Sequence, residues 1–247
     1  FDSKTPTFRH KLYSEYKANR FKTPDDLHAQ IPWIENILTE FGIPVLRVDG
    51  FEADDIIATV AKKCKEENRE CRILSGDKDL LQLVCDSCKE MTPNKENGGW
   101  DINGVQEVLE KWGIGPEKIL DYLSLVGDSA DNVPGVKGVG EKTALKLLNE
   151  YGTLDGIYEH ASEIKGALGE KIRNDKENAY FSKKLIELVD NVPLEIDFES
   201  LCTKNLHWHN AATMLSEYGA FQVAKSFSNE NDSSSDSQEY KNVLPQV

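Results

Sequence analysis

Cys71-Arg-Ile-Leu-Ser-Gly-Asp-Lys-Asp79 is the stretch on which the fold turns. Its first four residues suit a short strand, Ser75-Gly76 breaks it, and Asp77-Lys78-Asp79 opens a helical segment. Immediately upstream, Glu52 to Glu67 reads as a helix with Ile56, Ile57, Val60 and Ala61 on its inner side. Before that, Pro44 to Val48 is an apolar run fit for a buried strand. The order strand, helix, strand, helix predicts βαβ units, an α/β fold with a mostly parallel sheet flanked by helices. Ligands of such sheets gather beyond the carboxyl ends of the strands.

Further out, Thr23-Pro24-Asp25-Asp26 combines an N-cap, a proline at the first helical position and first-turn acids. It launches a helix through Ile31, Ile34, Ile37 and Leu38 that Gly42 ends. From about Asn103 the periodicity is helical, over Val105 to Trp112, Pro116 to Val126, Gly140 to Tyr151, Leu154 to His160 and Ala167 to Val189. A last helix falls around Asn210 to Phe227, and the polar, low-complexity run 228–239 reads as a solvated linker. The domain reading is an α/β core over 1–100, with a basic segment at about 5–22, and a helical subdomain over 101–227. Residues 240–247 turn apolar, as at the start of another element.

The 247 residues carry 29 Lys and Arg against 43 Asp and Glu, a net charge of −14, with a hydrophobic fraction of 39%. No apolar run approaches the roughly 20 residues that a bilayer-crossing helix needs, and no signal peptide opens the chain, so the expectation is a cytoplasmic protein without a membrane partner. Five cysteines, odd in number and dispersed, fit a reducing compartment. Cys85 and Cys88 form a lone C-x-x-C that reads as incidental, and His207 and His209 beside Trp208 read as packing or surface residues. The acidic balance argues at first against a nucleic-acid partner. The outcome depends on where the carboxylates sit.

They sit at the ends of elements. Asp2 follows Phe1, Glu52, Asp54 and Asp55 follow the Val45 run, Asp77 and Asp79 follow the Ile73 strand, and Asp128 and Asp131 follow the helix ending at Val126. One such cluster alone is ordinary helix capping. Four converging on one edge repel one another unless cations lie among them. An all-oxygen donor set selects hard ions such as Mg²⁺ or Mn²⁺, and two such ions suit hydrolysis of a phosphodiester.

Two basic features accompany the acids. Lys4, Arg9, Lys11, Lys17, Arg20 and Lys22 outnumber Asp2 and Glu15 in the first 22 residues, a pattern that also fits a solvated helix face. In Val133-Pro-Gly-Val-Lys-Gly-Val-Gly140-Glu-Lys142-Thr-Ala-Leu-Lys146, glycines bracket apolar residues just before a helix. A tight helix-helix turn would show the same glycines. With Lys137, Lys142 and Lys146 alongside, the helix N-terminus suits phosphate, so residues 133–148 read as a DNA-backbone grip without base readout.

These motifs together resemble the 5′-nuclease domain at the N-terminus of bacterial DNA polymerase I, related to flap endonucleases. The resemblance rests on Phe1-Asp2-x-Lys4, Thr7-Phe-Arg-His10, Tyr16-Lys-Ala-Asn-Arg20, Glu52-Ala-Asp-Asp55, Ser75-Gly-Asp-Lys-Asp79-Leu-x-Gln82-Leu-Val84, Gly127-Asp-Ser-Ala-Asp-Asn-Val-Pro-Gly135 and Gly138-Val-Gly-Glu-Lys-Thr-Ala144, in family order over residues 1–227. It implies a PIN-like 5′-nuclease fold with a C-terminal helix-hairpin-helix subdomain. It also implies a two-metal 5′-3′ exonuclease or flap endonuclease that removes 5′ flaps and RNA primers in replication and repair.

By the resemblance, Asp2, Glu52, Asp54, Asp55, Asp77, Asp79, Asp128 and Asp131 hold or orient two Mg²⁺ (or Mn²⁺) ions. Tyr16, Lys17 and Arg20 match arch residues that stack on or clamp the 5′ strand and offset charge at the scissile phosphate. Arg9, Lys17, Arg20, Gly135, Lys137, Gly138, Gly140 and Lys142 contact DNA, with K⁺ a further ion at the hairpin. The implied partners are branched or flapped DNA and RNA-DNA primer junctions, met without sequence preference, and the covalently joined polymerase domains; the implied location is bacterial and nucleoid-associated. The family's opening strand, with another metal-binding aspartate, has no counterpart ahead of Phe1, which implies that residues 1–247 alone are impaired in folding or metal binding. A non-catalytic branched-DNA-binding module and a PIN-like ribonuclease are the competing readings.

Overall fold

The computed structural model describes residues 1–96, 98–199 and 206–229. It divides into two compact units. The larger comprises residues 2–20 and 47–194, and the smaller comprises Phe1, residues 21–46 and the described residues from Glu195 to Asn229.

In the larger unit, α1 (Phe8–Leu12) precedes a run of tight turns, and α3 (Ala53–Glu66) leads into the sheet. Glu52 and Asp55 form a capping box that starts α3, with the Glu52 N–H donating to Asp55 Oδ2 at 3.1 Å. The Asp2 carboxylate accepts the next free N–H, that of Ala53, at 2.8 Å. Three strands follow, β1 (Cys71–Leu74), β2 (Cys88–Pro93) and β3 (Trp100–Asn103), in the order β1-β2-β3. β1 and β2 are parallel, whereas β2 and β3 are antiparallel.

The sheet is therefore small and mixed, not mostly parallel. Pro44 to Val48 does not join it; Pro44 lacks the N–H that a ladder needs. The sequence reading missed β2 and β3, whose residues Lys89, Glu90, Pro93, Asp101 and Asn103 hide them from a hydrophobic pattern. Glu90 is buried all the same, bonded by Asn103 across the antiparallel pair at 2.8 Å.

The helical half follows as α4 (Val105–Trp112), α5 (Ile119–Val126), α6 (Glu141–Tyr151), α7 (Leu154–Glu159), α8 (Gly166–Asn174) and α9 (Lys176–Ile186). The single helix expected over Ala167 to Val189 is two, broken at Asp175. Asp175 turns its carboxylate outward to accept the Lys137 N–H at 2.7 Å. The main core lies here, around Leu123, Leu125, Leu148, Leu154, Ile157, Ile172 and Leu185, all essentially solvent-free. Truncating any of these leucines to alanine costs about 2–5 kcal/mol. Asp121 fixes the layers by accepting from Leu154 N at 2.9 Å and Lys183 Nζ at 2.8 Å.

In the smaller unit, α2 (Asp25–Phe41) packs on α10 (Trp208–Glu217), and α10 on α11 (Phe221–Asn229). Trp208 meets Phe41 edge-on at 4.6 Å and Trp33 stacks on Tyr218 at 5.3 Å. The last helix is also divided, at Gly219, and α11 runs to Asn229 into the start of the expected linker. The rest of that linker, the apolar run 240–247 and Cys202 lie outside the described residues. Among the described residues, no helix is long and apolar enough to cross a membrane.

Candidate metal centre and its hairpin

The carboxylates predicted from sequence converge within the larger unit and divide into two groups. Asp2, Glu52, Asp54, Asp77, Asp79 and Asp131 line a cavity of about 170 Å³ with Arg9, Tyr16, Lys17 and Arg20. An adjoining concavity continues over Asp77, Lys78, Asp79, Asp128 and Asp131. Oxygens of Asp79, Asp128 and Asp131 lie within 4.8 Å of one another. Asp79 Oδ1 is buried and has no hydrogen-bond partner in the protein. A buried acceptor without a donor, facing further carboxylates, is satisfied by a cation, and all-oxygen donors fit a hard divalent ion.

Local structure explains the convergence. Asp77 caps the 3₁₀ helix Lys78–Leu83, accepting the Asp79 N–H at 3.1 Å, so both acids stand at the carboxyl end of β1. Asp128 and Asp131 occupy a turn closed by Asp128 N to Val133 O at 3.0 Å and Val133 N to Asp128 O at 2.7 Å. Burial, then repulsion from Asp77 and Asp128, pushes the Asp79 carboxyl up to about 7. Burial, then Asp77, pushes Asp54 up to about 6 against the opposing pull of Lys17. These two groups resist charge in the ion-free protein.

The other group is compensated. Arg9 is 1% exposed and holds Asp55, 0% exposed, through paired bonds of 2.7 and 2.8 Å. Its remaining donors reach the carbonyls of Leu185 at 2.7 Å and Glu187 at 2.9 Å, and Asp55 also accepts the Val189 N–H at 2.9 Å. Burial alone would raise the Asp55 carboxyl; hydrogen bonding and attraction from Arg9 override it and hold it below the ordinary carboxylate range. Asp55 is sealed behind Arg9 and is not among the residues lining the cavity, while Arg9, 1% exposed, borders the cavity from within and offers no outer surface. Both position α3 against the segment after α9.

The basic segment also differs from a free arch. Tyr16 is buried, and its hydroxyl donates to Glu52 at 3.1 Å and lies 3.4 Å from Asp131. Burial, then the neighbouring carboxylates, pushes its phenol up, so it remains a donor. Its ring is not exposed for stacking. Lys17 Nζ reaches Glu52 at 3.0 Å and Asp131 at 3.7 Å, while Arg20 pairs with Asp131. The backbone is stitched to the acid-bearing turn by Lys17 N to Asp131 O at 3.0 Å and Asn132 Nδ2 to Glu15 O at 2.8 Å. Lys17 has φ 58°, the left-handed conformation that turns its side chain in this stitched segment. Lys78, which the sequence reading passed over, pairs with Asp128 at 3.1 Å. Its place between two acids in Asp77-Lys78-Asp79 was the available signal.

The glycine hairpin grows from the same turn. Gly127 and Gly135 have φ of 77° and 62°, and a Cβ on Gly135 would lie 2.5 Å from Gly127 N. Only glycines permit that approach. It places the Asp128–Asp131 turn back to back with the hairpin 135–140 that starts α6. Gly135 is buried and its N–H is taken by Ser182 Oγ at 2.9 Å, whereas Lys137, Gly138, Gly140 and Lys142 are exposed. The Gly138 carbonyl accepts from Lys171 Nζ at 3.4 Å.

Comparison with known proteins agrees with this arrangement. The chain is 48% identical to DNA polymerase I of Treponema pallidum over 227 residues, 92% of this chain and 23% of that protein. It is 40% identical to the thermostable DNA polymerase I of Thermus thermophilus, over 89% of this chain and 26% of that one. It thus spans about a quarter of the length of these relatives. The fold resembles a T5 5′-exonuclease with bound divalent zinc ions, with TM-score 0.62 and 18% identity, covering 93% of this chain and 80% of that one. It equally resembles a bacteriophage T5 flap endonuclease in a pseudo-enzyme-product complex with DNA and metal ions, with TM-score 0.64, 18% identity and the same coverage. Residues 1–113 match the 5′-3′ exonuclease N-terminal resolvase-like domain, and residues 114–209 match the 5′-3′ exonuclease C-terminal SAM fold. Carrying both halves in order, with the acids of each meeting at one site, the chain belongs to the 5′-3′ exonuclease family.

Proposed function

We propose that this chain is the metal-dependent 5′ nuclease part of a DNA polymerase I, cutting phosphodiesters at 5′ flaps and RNA-DNA primer junctions. The observation that carries the reading is the Asp79, Asp128 and Asp131 cluster with its unpartnered buried oxygen. Asp2, Asp54 and Asp77 complete the donor set of the cavity, and Glu52 orients Tyr16 and Lys17 at its wall. Two Mg²⁺ or Mn²⁺ ions held there supply Lewis-acid neutralisation of the phosphate and promote ionisation of the attacking water.

The chain's own residues do the rest. Lys17, Arg20 and Lys78 are engaged by Glu52, Asp131 and Asp128 in the ion-free protein. They stand at the rim of the carboxylate site, where their ammonium and guanidinium groups would meet phosphate oxygens and offset charge that develops in the transition state. The exposed hairpin N–H groups, with Lys137 and Lys142, grip the duplex backbone without reading bases. The shared Gly127–Gly135 contact fixes the distance between grip and cut. Within this reading the α/β core spans 1–100 and the helical subdomain 101–227.

The test is cleavage of a 5′-end-labelled flap duplex with Mg²⁺ and with EDTA, run beside a binding assay. Mg²⁺-dependent release of the flap, abolished in Asp79→Asn with binding retained, supports the reading. Binding without cleavage under all divalent conditions overturns it in favour of a non-catalytic DNA module.

A further inference from the structure

Four of the five cysteines gather away from the carboxylates, on the opposite end of β1. Cys64 comes from the last turn of α3, Cys71 opens β1, Cys88 opens β2, and Cys85 precedes the turn into β2. All four are free thiols. Cys88 and Cys71 pack with Ala61, Ile73 and Leu80 on the face that β1 turns to α3. Cys71 and Cys88 are register partners in the parallel ladder. Neighbouring strands are about 4.7–4.9 Å apart, and register partners project to the same face. That spacing lies inside the Cα separation of about 4.4–6.8 Å that a disulfide spans.

We propose that Cys71 and Cys88 form a reversible oxidation site, in which a peroxide converts the two thiols to a disulfide clasping β1 to β2. Cys88 is the central thiol. The Cys71 thiol hydrogen-bonds to it and holds it below the ordinary thiol range, while Cys71 itself is pushed up by the same contact and by burial. Burial, then Cys71, pushes Cys64 up to about 11. Cys88 and Cys85 border an open groove of about 830 Å³, which admits a molecule as small as hydrogen peroxide.

The chemistry balances in two steps. The Cys88 thiolate attacks one peroxide oxygen, the O–O bond breaks, and hydroxide leaves and takes a proton to become water, giving a sulfenic acid. The Cys71 sulfur then attacks the Cys88 sulfur. The S–S bond forms, the S–O bond breaks, and the second oxygen leaves as water with the Cys71 proton. Two thiols and one peroxide yield one disulfide and two waters.

Cys85 is the nearest competitor, and it pairs with Cys88 in an isolated bridge outside the β1–β2 ladder. Cys85 and Cys88 exchange both backbone hydrogen bonds, at 2.9 and 3.1 Å, the antiparallel pairing in which side chains stand further apart. Its Sγ lies instead 3.5 Å from Ser87 Oγ.

The experiment is mass spectrometry of the full 247-residue chain after brief hydrogen peroxide treatment, with free thiols alkylated and no reductant present. The expected result is loss of two hydrogens per chain and a linked pair of tryptic peptides, one holding Cys71 and one running from Asp79 to Lys89, both restored by dithiothreitol. That second peptide holds Cys85 and Cys88, so Cys85→Ser assigns the bond, and the link persists in it. In Cys71→Ser the Cys88 sulfenic acid has no partner at its side and advances to sulfinic acid. A wild-type link that involves Cys64, Cys202 or a Cys85–Cys88 loop overturns the proposal, as does oxidation of Cys88 to sulfinic acid without any link. If a variant does not fold, fragmentation of the wild-type linked peptides between Cys85 and Cys88 assigns the bond, and a link on Cys85 overturns the proposal.

Discussion

Asp54 and Asp55 are neighbours on one helix and belong to opposite halves of the site. Asp55 faces inward to a guanidinium that shares two bonds with it, and its carboxyl is held low. Asp54 faces the cavity toward Asp77 and Asp2, and its carboxyl is held up at about 6. The first half is neutralised by the protein itself and stabilises the fold. The second, with Asp77 and Asp79, is left short of positive charge, Asp128 beside it being paired only with the partly exposed Lys78, and in the proposed function this half holds the ions. A count of carboxylates does not separate the halves; what separates them is whether a cation is already built in.

The largest effect should come from the uncompensated half. Asp79→Asn or Asp128→Asn is expected to lower Mg²⁺-dependent flap cleavage by at least the order of 10²–10³-fold seen on loss of one transition-state-stabilising group, read as single-turnover rates. Folding should persist. A variant that cleaves at the wild-type rate would place the ions elsewhere.

The compensated half should respond in stability. Arg9→Met leaves Asp55 as an unpaired buried carboxylate and is expected to cost about 3–5 kcal/mol, read as a lower urea midpoint. If Arg9→Met unfolds at the wild-type midpoint, the pair is not what anchors α3.

A third effect is the pH dependence of the ion-free protein, where the halves have opposite signs. The raised carboxyls of Asp54 and Asp79 bind protons more tightly in the folded chain. Their contribution to stability is fully present below the ordinary value of 3.8 and is lost as pH rises through about 6 to 7. The lowered Asp55 contributes above the ordinary value, and that contribution is lost as pH falls below it. In EDTA, Asp79→Asn should therefore flatten the fall in stability between the ordinary value of 3.8 and the raised value of about 7. Parallel profiles for variant and wild type would contradict the assignment.

The smallest effect belongs to Lys78. Its ammonium is partly exposed and competes with an ion for Asp128, and such pairs are worth about 0.2–1 kcal/mol. Lys78→Ala should thus tighten Mn²⁺ binding by up to roughly 5-fold, while slower cleavage reports loss of its contact with phosphate. Weaker Mn²⁺ binding would show that Lys78 supports the ions instead of competing with them.

The sequence made the acids legible because they recur at element ends, and the hairpin legible because glycine and lysine alternate before a helix. It did not separate Asp55 from Asp54. The partners that seal Asp55 are Arg9, 46 residues away, and the Val189 N–H, 134 residues away, neither marked by local pattern. The same distance effect misled the reading of Tyr16, an aromatic beside basic residues that suggests stacking, until its hydroxyl is seen bound to Glu52. In the sheet, β1 was visible as an apolar run, whereas β2 and β3 hid because antiparallel partners such as Glu90 and Asn103 satisfy each other. Pro44 to Val48 shows the converse, an apolar run without a ladder.

The central claim is that divalent ions complete the uncompensated half, and a Mn²⁺ titration by calorimetry tests it most directly. Run at about pH 6.5, between the raised values of Asp54 and Asp79, in two buffers of different ionisation enthalpy, it reads bound ions and released protons together. The account predicts binding with proton release in the wild type, and weaker binding with fewer protons released in Asp79→Asn. Equal affinity and equal proton release in the two proteins would contradict it.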